Sequence, residues 1–184
     1  NLKKHQVPVR CRGIKGKIMT GDFSDIADSN AEFVSAFTGQ NVPGLPAKKM
    51  LLLTCMDCRI IPHQVLGMSI GDMKVIRNGG GQLNSAVESD IIVANNVLDC
   101  DQILIMQHTQ CGMAAATLES VRESVQANTG VDASQFTPSV IENQMAKLTH
   151  DVETLRNNPM LKSNAVVQGA MYHVETGKVD FIGE

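Results

Sequence analysis

An α/β domain with a mostly parallel central β-sheet flanked by helices, finished by a C-terminal hairpin and edge strand, is the fold class this sequence predicts. Three observations carry that expectation. Short, wholly apolar runs read as strands buried on both faces. Segments of helical period lie between and after them. The chain then ends in a hairpin-like turn into a short strand. Strands alternating with helices in this order build a parallel sheet with helical crossovers.

Taken in order, residues 1–27 read as a basic extension and residues 28–184 as a single domain. Lys3, Lys4, Arg10, Arg12, Lys15 and Lys17 precede the first acid, Asp22, and Gly13, Gly16 and Gly21 interrupt the segment. With Asn rather than Met at position 1, it reads either as the tail of an organelle-targeting sequence or as an arm that packs on a partner subunit. From Asp28 to Phe37 the apolar Ala31, Phe33, Val34 and Phe37 recur at helical spacing, with Ser29 or Asn30 as the cap. Gly39, Pro43, Gly44 and Pro46 mark a loop. Apolar strands follow at Met50 to Thr54, Met73 to Ile76 and Gln102 to Met106. Helical periodicity covers Ser85 to Leu98, Ala114 to Gln126 and Pro138 to Arg156, with Pro159 closing the last. Ala165 to His173 has strand character, and Val174 to Val179 turns it into a short strand ending at Ile182.

Composition bounds the function. The chain has 184 residues, 43% of them hydrophobic and 19% charged, enough apolar material for one sizeable core. A net charge of −3 gives no electrostatic case for nucleic acid. Aromatic residues make up 3%, with no Trp, which argues against stacking platforms for single strands. No apolar run approaches the roughly 18–20 residues that span a bilayer, so a soluble protein is expected. Five cysteines form an odd set without the spacing of a secreted disulfide framework. Reduced thiols with a metal site fit better, and with them an intracellular compartment, either cytoplasm or organelle.

Ligand sites in an open parallel sheet gather at the carboxyl ends of strands. The first apolar strand runs into Cys55-Met56-Asp57-Cys58-Arg59 and the third into His108-Thr109-Gln110-Cys111. The second ends in Arg77-Asn78-Gly79-Gly80-Gly81, a loop with few side chains that lets backbone approach closely. If the first and third strands are neighbours, Cys55, His108 and Cys111 converge, and one imidazole with two thiolates suits Zn2+. Cys111 stands before a helix whose free amides favour the thiolate. Asp57 and Arg59, two apart, face the same way in an extended segment. The guanidinium would keep the carboxylate ionised to accept a hydrogen bond from a metal-bound water.

Plainer readings compete. A single cysteine is more often a small buried hydrophobe than a ligand. His63, His150 and His173 are isolated and read as surface or core residues. A thioredoxin-type redox pair at Cys55 and Cys58 leaves His108 and Cys111 without a use. A phosphate loop at the glycines fails because Asn84 stands where G-x-G-x-x-G needs its last Gly. The sharper rival is a closed, structural zinc site made from Cys55, Cys58, His108 and Cys111, which spacing alone does not rank below the open one.

At these residues the sequence resembles the β-class carbonic anhydrase family. Its C-x-D-x-R motif matches Cys55, Asp57 and Arg59, and its H-x-x-C motif matches His108 and Cys111. Val75 to Gly81 resembles the family's R-N-A-G loop with Gly79 where Ala is usual, and Gly169 to Gly177 resembles its last strand and hairpin. The resemblance covers about Asn30 to Ile182 and omits the basic extension. It implies that Cys55, His108 and Cys111 bind Zn2+ and that Asp57 with Arg59 forms a dyad beside it. Cys58 falls at a variable position, against the closed site. The implied reaction is reversible hydration of CO2 to bicarbonate by a zinc-bound hydroxide. The implied assembly is a homodimer or higher oligomer, with an N-terminal arm, here the helix around Phe33 and Phe37, across the partner. Pro46 replaces a Gln common in plant-type members, and active-site aromatics are sparse. The form of the two motifs is closer to a smaller microbial branch that includes carbonyl sulfide hydrolases. Carbonyl sulfide hydrolysis on the same site is therefore the second expectation. A non-catalytic zinc-binding protein, closed by Cys58 or Asp57 as fourth ligand, is the third.

Overall fold

Five strands form one sheet: β1 (Met50–Cys55), β2 (Met73–Asn78), β3 (Gln102–His108), β4 (Val166–Tyr172) and β5 (Val179–Phe181). The structure is a computed structural model and describes residues 23–183, so the expectations about the basic segment before Phe23 lie outside the described residues. Strand order is β2-β1-β3-β4-β5. β1 pairs in parallel with both β2 and β3, and β3 with β4, while β5 returns antiparallel on β4. The first and third apolar strands are thus neighbours, as a shared site requires. Register sets Cys55 opposite Asn78 and Thr54 opposite Met106, so the carboxyl ends of β1, β2 and β3 lie level.

Both faces of the sheet are covered, which is why the interiors of the central strands β1 and β3 do not alternate and are mostly apolar. On one face Leu51, Leu53, Ile103, Ile105 and Val167 pack against Val87, Ile91 and Ala94 of helix α3 (Ser85–Val97) and Leu148, Val152 and Leu155 of helix α6 (Gln144–Arg156). On the other, Leu52, Leu104, Met106, Ala170 and Tyr172 pack with Ile60 and with residues around the short helix α2 (Pro62–Val65). The one polar side chain inside β1, Thr54, donates its hydroxyl to the Met106 carbonyl at 2.7 Å, so its burial leaves no orphan.

Several elements differ from the periodicity. Helix α6 starts at Gln144 rather than Pro138, because the Asn143 side chain caps it by accepting from Ala146 N at 3.0 Å. The preceding residues form a loop whose Ile141 amide donates to the Met113 carbonyl at 2.8 Å. The single helix expected from Ala114 is two: α4 (Gly112–Ala115) and α5 (Leu118–Thr129). Between them Thr117 starts α5 with a capping box to Ser120, a better end for the amides than a continuous helix through extended Ala116. Helix α2, with Pro62 in its first turn, was not expected from its short sequence.

The chain divides into two units, Asn1–Asn41 and Val42–Glu184. Described residues of the first include helix α1 (Ser24–Ser35), which begins before Asp28 and stops short of Phe37. No side chain caps it, and Phe33 and Phe37 set their rings 5.4 Å apart. Among the described residues no helix is long and apolar enough to cross a membrane.

Candidate metal centre

Cys55 ends β1, His108 ends β3 and Cys111 caps α4, so three element boundaries meet at the carboxyl end of the sheet. Their ligand atoms lie within 4.8 Å of one another, and all three residues are buried, at 4%, 0% and 3% exposure. His108 Nδ1 lies 2.9 Å from the Thr109 carbonyl, which can only accept, so Nδ1 carries the proton. Nε2 is then a bare lone pair, buried and with no partner among the described residues. An orphaned buried nitrogen costs about 1–3 kcal/mol, which a metal ion would remove. Two thiols and that lone pair are the donor set zinc favours, so the residues fit the ion.

The electrostatics correct one expectation. The Met113 and Ala114 amides do favour the Cys111 thiolate, but burial outweighs them and pushes the Cys111 thiol up. Without an ion the site holds Cys111 as a thiol, and binding a cation there displaces its proton. Burial likewise pushes His108 down, keeping the imidazole neutral and able to ligate.

Asp57 and Arg59 are paired, though in a turn rather than an extended segment. Asp57 Oδ1 accepts from the backbone N of Arg59 at 2.9 Å, and Ile60 N closes the turn onto the Asp57 carbonyl at 3.1 Å. The guanidinium then forks onto the same carboxylate, Nε to Oδ1 at 2.9 Å and Nη2 to Oδ2 at 2.8 Å. That fork holds the Asp57 carboxyl well below the usual carboxylate range. Oδ2 also lies 3.9 Å from His108 Nε2, so the ionised carboxylate borders the three ligand atoms. Arg59 is itself held from across the site, donating to the Gln110 carbonyl at 3.0 Å and to its Oε1 at 3.3 Å. Gln110 adopts φ 55°, a left-handed conformation that costs a non-glycine residue about 1 kcal/mol or more and that accompanies this contact.

Residues without an assigned role in the sequence brace this arrangement. Arg77 donates from Nε to the Cys55 carbonyl at 2.9 Å and from Nη2 to the Asp57 carbonyl at 2.7 Å, fixing the segment between ligand and dyad. Thr109, whose carbonyl sets the His108 tautomer, donates its hydroxyl to Glu175 at 2.6 Å and accepts from Val174 N at 3.1 Å. Gln144 of α6 donates to the His108 carbonyl at 2.8 Å. A charged residue at the carboxyl end of a strand is the sequence signal for Arg77. For Glu175 and Gln144 the sequence carries none. Cys58 is exposed and lies outside the group of ligand atoms. His63, His150 and His173 also lie outside it, and His173 pairs with Asp180 at 3.0 Å.

A family model described as carbonic anhydrase matches residues 50–134 of the chain. Beta-carbonic anhydrase 1 of Mycobacterium tuberculosis is 26% identical over 156 residues, spanning 85% of this chain and 94% of its own. A carbon disulfide hydrolase of an Acidianus species is also 26% identical, over 180 residues, spanning 85% of this chain and 88% of its own. Among solved structures, a carbonic anhydrase of Streptococcus mutans is similar with a TM-score of 0.82 at 25% identity, over 90% of this chain and 100% of that one. The parallel sheet, with Cys, His and Cys at its carboxyl end and a carboxylate–guanidinium pair beside them, defines a class of α/β enzyme with a metal-capable site. Within that class the chain resembles β-class carbonic anhydrases, and carbon disulfide hydrolases, a related branch, to the same degree of identity.

Proposed function

We propose that this chain is a zinc-dependent carbonic anhydrase that reversibly hydrates CO2 to bicarbonate, with Cys55, His108 and Cys111 as metal ligands and Asp57 and Arg59 as the dyad. The observation that carries the reading is the buried Nε2 of His108, without a hydrogen-bond partner, on a residue whose ligand atom lies within 4.8 Å of both thiol sulfurs. When bound there, zinc supplies a Lewis acid that brings the pKa of a coordinated water to about 7. The chain's own residues do the rest. Asp57, kept ionised by Arg59, offers a carboxylate oxygen at the ligand edge that can only accept a hydrogen bond, and so orients a hydroxyl group there. Arg59 also holds Asp57 away from the ligand position itself, because the fork occupies both carboxylate oxygens. Arg77 keeps the peptide segment between Cys55 and Asp57 from turning.

A related branch supplies the second reading, hydrolysis of carbonyl sulfide or carbon disulfide at the same site. What favours it is that the Acidianus carbon disulfide hydrolase matches this chain at the same identity as the mycobacterial carbonic anhydrase. Purified protein assayed for CO2 hydration and for sulfide release separates the two. CO2 hydration that exceeds sulfide release supports the first, and the reverse supports the second. Neither activity from zinc-loaded protein overturns both and favours a non-catalytic zinc protein.

In this reading residues 28–184 form the zinc domain and residues 1–27 an extension to it. The chain assembles as a homodimer or larger, a state that light scattering reads directly. Helix α1 leaves Phe33 and Val34 exposed, which supports an arm that packs on another subunit. Free thiols at Cys55, Cys58, Cys100 and Cys111 suit a reducing, intracellular compartment.

A further inference from the structure

The glycine turn after β2 is braced by side chains outside the three candidate ligands and the Asp57–Arg59 pair. Asn78 embraces Gln82, its Oδ1 accepting from the Gln82 amide at 2.9 Å and its Nδ2 donating to the Gln82 carbonyl at 2.7 Å. The buried Gln82 side chain donates in turn to the carbonyls of Gly79 at 2.9 Å and Ser139 at 3.0 Å. One residue further, Leu83 N donates to the buried Asp151 of α6 at 3.0 Å, and Lys147 pairs with Asp151 and with the Leu83 carbonyl.

This bracing directs the amide of Gly80 at the metal centre, where it donates to Cys55 Sγ at 3.3 Å. The approach needs glycine. At Gly80 (φ 84°) a Cβ would meet Ile141 at 2.7 Å, and at Gly81 (φ 63°) it would meet the Cys55 backbone N at 2.8 Å. An N–H donated to a ligating sulfur restrains its orientation and draws charge from it, leaving a bound cation more electrophilic. Such a bond weakens steeply with angle, so its strength depends on where the turn is held.

We propose that Asn78 and Gln82 are positioning residues that clamp the turn with its Gly80 amide on the Cys55 sulfur, and so set that ligand's orientation and the charge it gives its metal. The inference rests on the zinc reading of the site and adds to it two residues outside the ligand set and the Asp57–Arg59 pair.

The test loads full-length protein with Co2+ and reads the thiolate-to-cobalt charge-transfer absorption, with metal affinity measured by chelator competition. Asn78→Ala and Gln82→Leu should move the band to longer wavelength, because the sulfur lone pairs are no longer stabilised. Affinity should fall by about 10- to 100-fold as the sulfur loses its restraint. Asn78→Asp keeps the acceptor for the Gln82 amide but loses the donor, and should lie between wild type and Asn78→Ala. Leu155→Ala, a cavity in the sheet core, should unfold earlier yet keep the wild-type band. An unshifted band in Gln82→Leu and Asn78→Asp overturns the proposal even where Asn78→Ala fails to fold. An equal shift in Leu155→Ala overturns it too, by assigning the effect to general loosening. A wild-type protein without any thiolate-to-cobalt band overturns the metal reading itself, and the proposal with it.

Discussion

Arg59 and Asp57 form a unit whose geometry depends on a planar guanidinium. Two parallel bonds to one carboxylate, and two more to Gln110, use donors in directions that an ammonium cannot reproduce. Arg59→Lys should therefore leave metal content unchanged while turnover falls on the order of 100-fold, the usual result of a catalytic group displaced by about 1 Å. Near wild-type turnover with full metal would remove Arg59 from the mechanism. The same pair links stability to pH. The folded-state pKa of Asp57 lies below its unfolded value of about 3.9. A carboxyl depressed in this way stabilises the fold fully above its unfolded pKa and loses that contribution as pH falls toward the folded one. Urea unfolding of wild type and Asp57→Ala should differ by a constant amount from neutral pH down to about 5, with the gap closing below about pH 4. A gap that widens on acidification would contradict the pairing.

At the scale of elements, α6 ties the sheet core to both loops of the site. Leu148, Val152 and Leu155 anchor it on β4 and β3, while Gln144 reaches the His108 carbonyl and Asp151 reaches Leu83. Its first turn is therefore the part that conveys core stability to the centre. Asn143→Ala removes the cap on the Ala146 amide and should lower unfolding free energy by about 1 kcal/mol in urea titration. An unchanged midpoint would mean that the helix start is held by its tertiary contacts alone. The division of α4 from α5 is of the same kind: Thr117 and Ser120 satisfy each other's amides, and the chain breaks where the period alone would continue.

For the molecule as a whole, the proposed ligands come from the ends of two adjacent parallel strands and the helix start after the second. A metal bound there crosslinks β1 to β3 in the folded state only, and stabilises it by mass action. Chelator treatment should thus lower the thermal unfolding midpoint, and readdition of Zn2+ should restore it. Cys111→Ser should show neither effect. With zinc at about 1,000 times its dissociation constant, the expected difference is about 4 kcal/mol. Equal unfolding of treated and untreated wild type would argue that no ion resides at the site.

The sequence by itself determined the parallel sheet, the strand ends as the candidate site, and both motifs on which the proposed ligands stand. These are legible because each apolar run and the polar residues that end it are contiguous, so burial and exposure are written side by side in the chain. Other features only the tertiary structure decided. Arg77 grips Cys55 from 22 positions away, Gln144 grips His108 from 36, and Asp151 grips Leu83 from 68. The turn that pairs Asp57 with Arg59, and the later start of α6, rest on short hydrogen bonds that periodicity does not register. The rise in the Cys111 pKa against its helix amides was likewise invisible, because it depends on how much protein surrounds the sulfur. Periodicity reports which side of an element is apolar. Hydrogen bonds and desolvation act over a few ångströms of space, where residues distant in sequence become neighbours only once the sheet has formed.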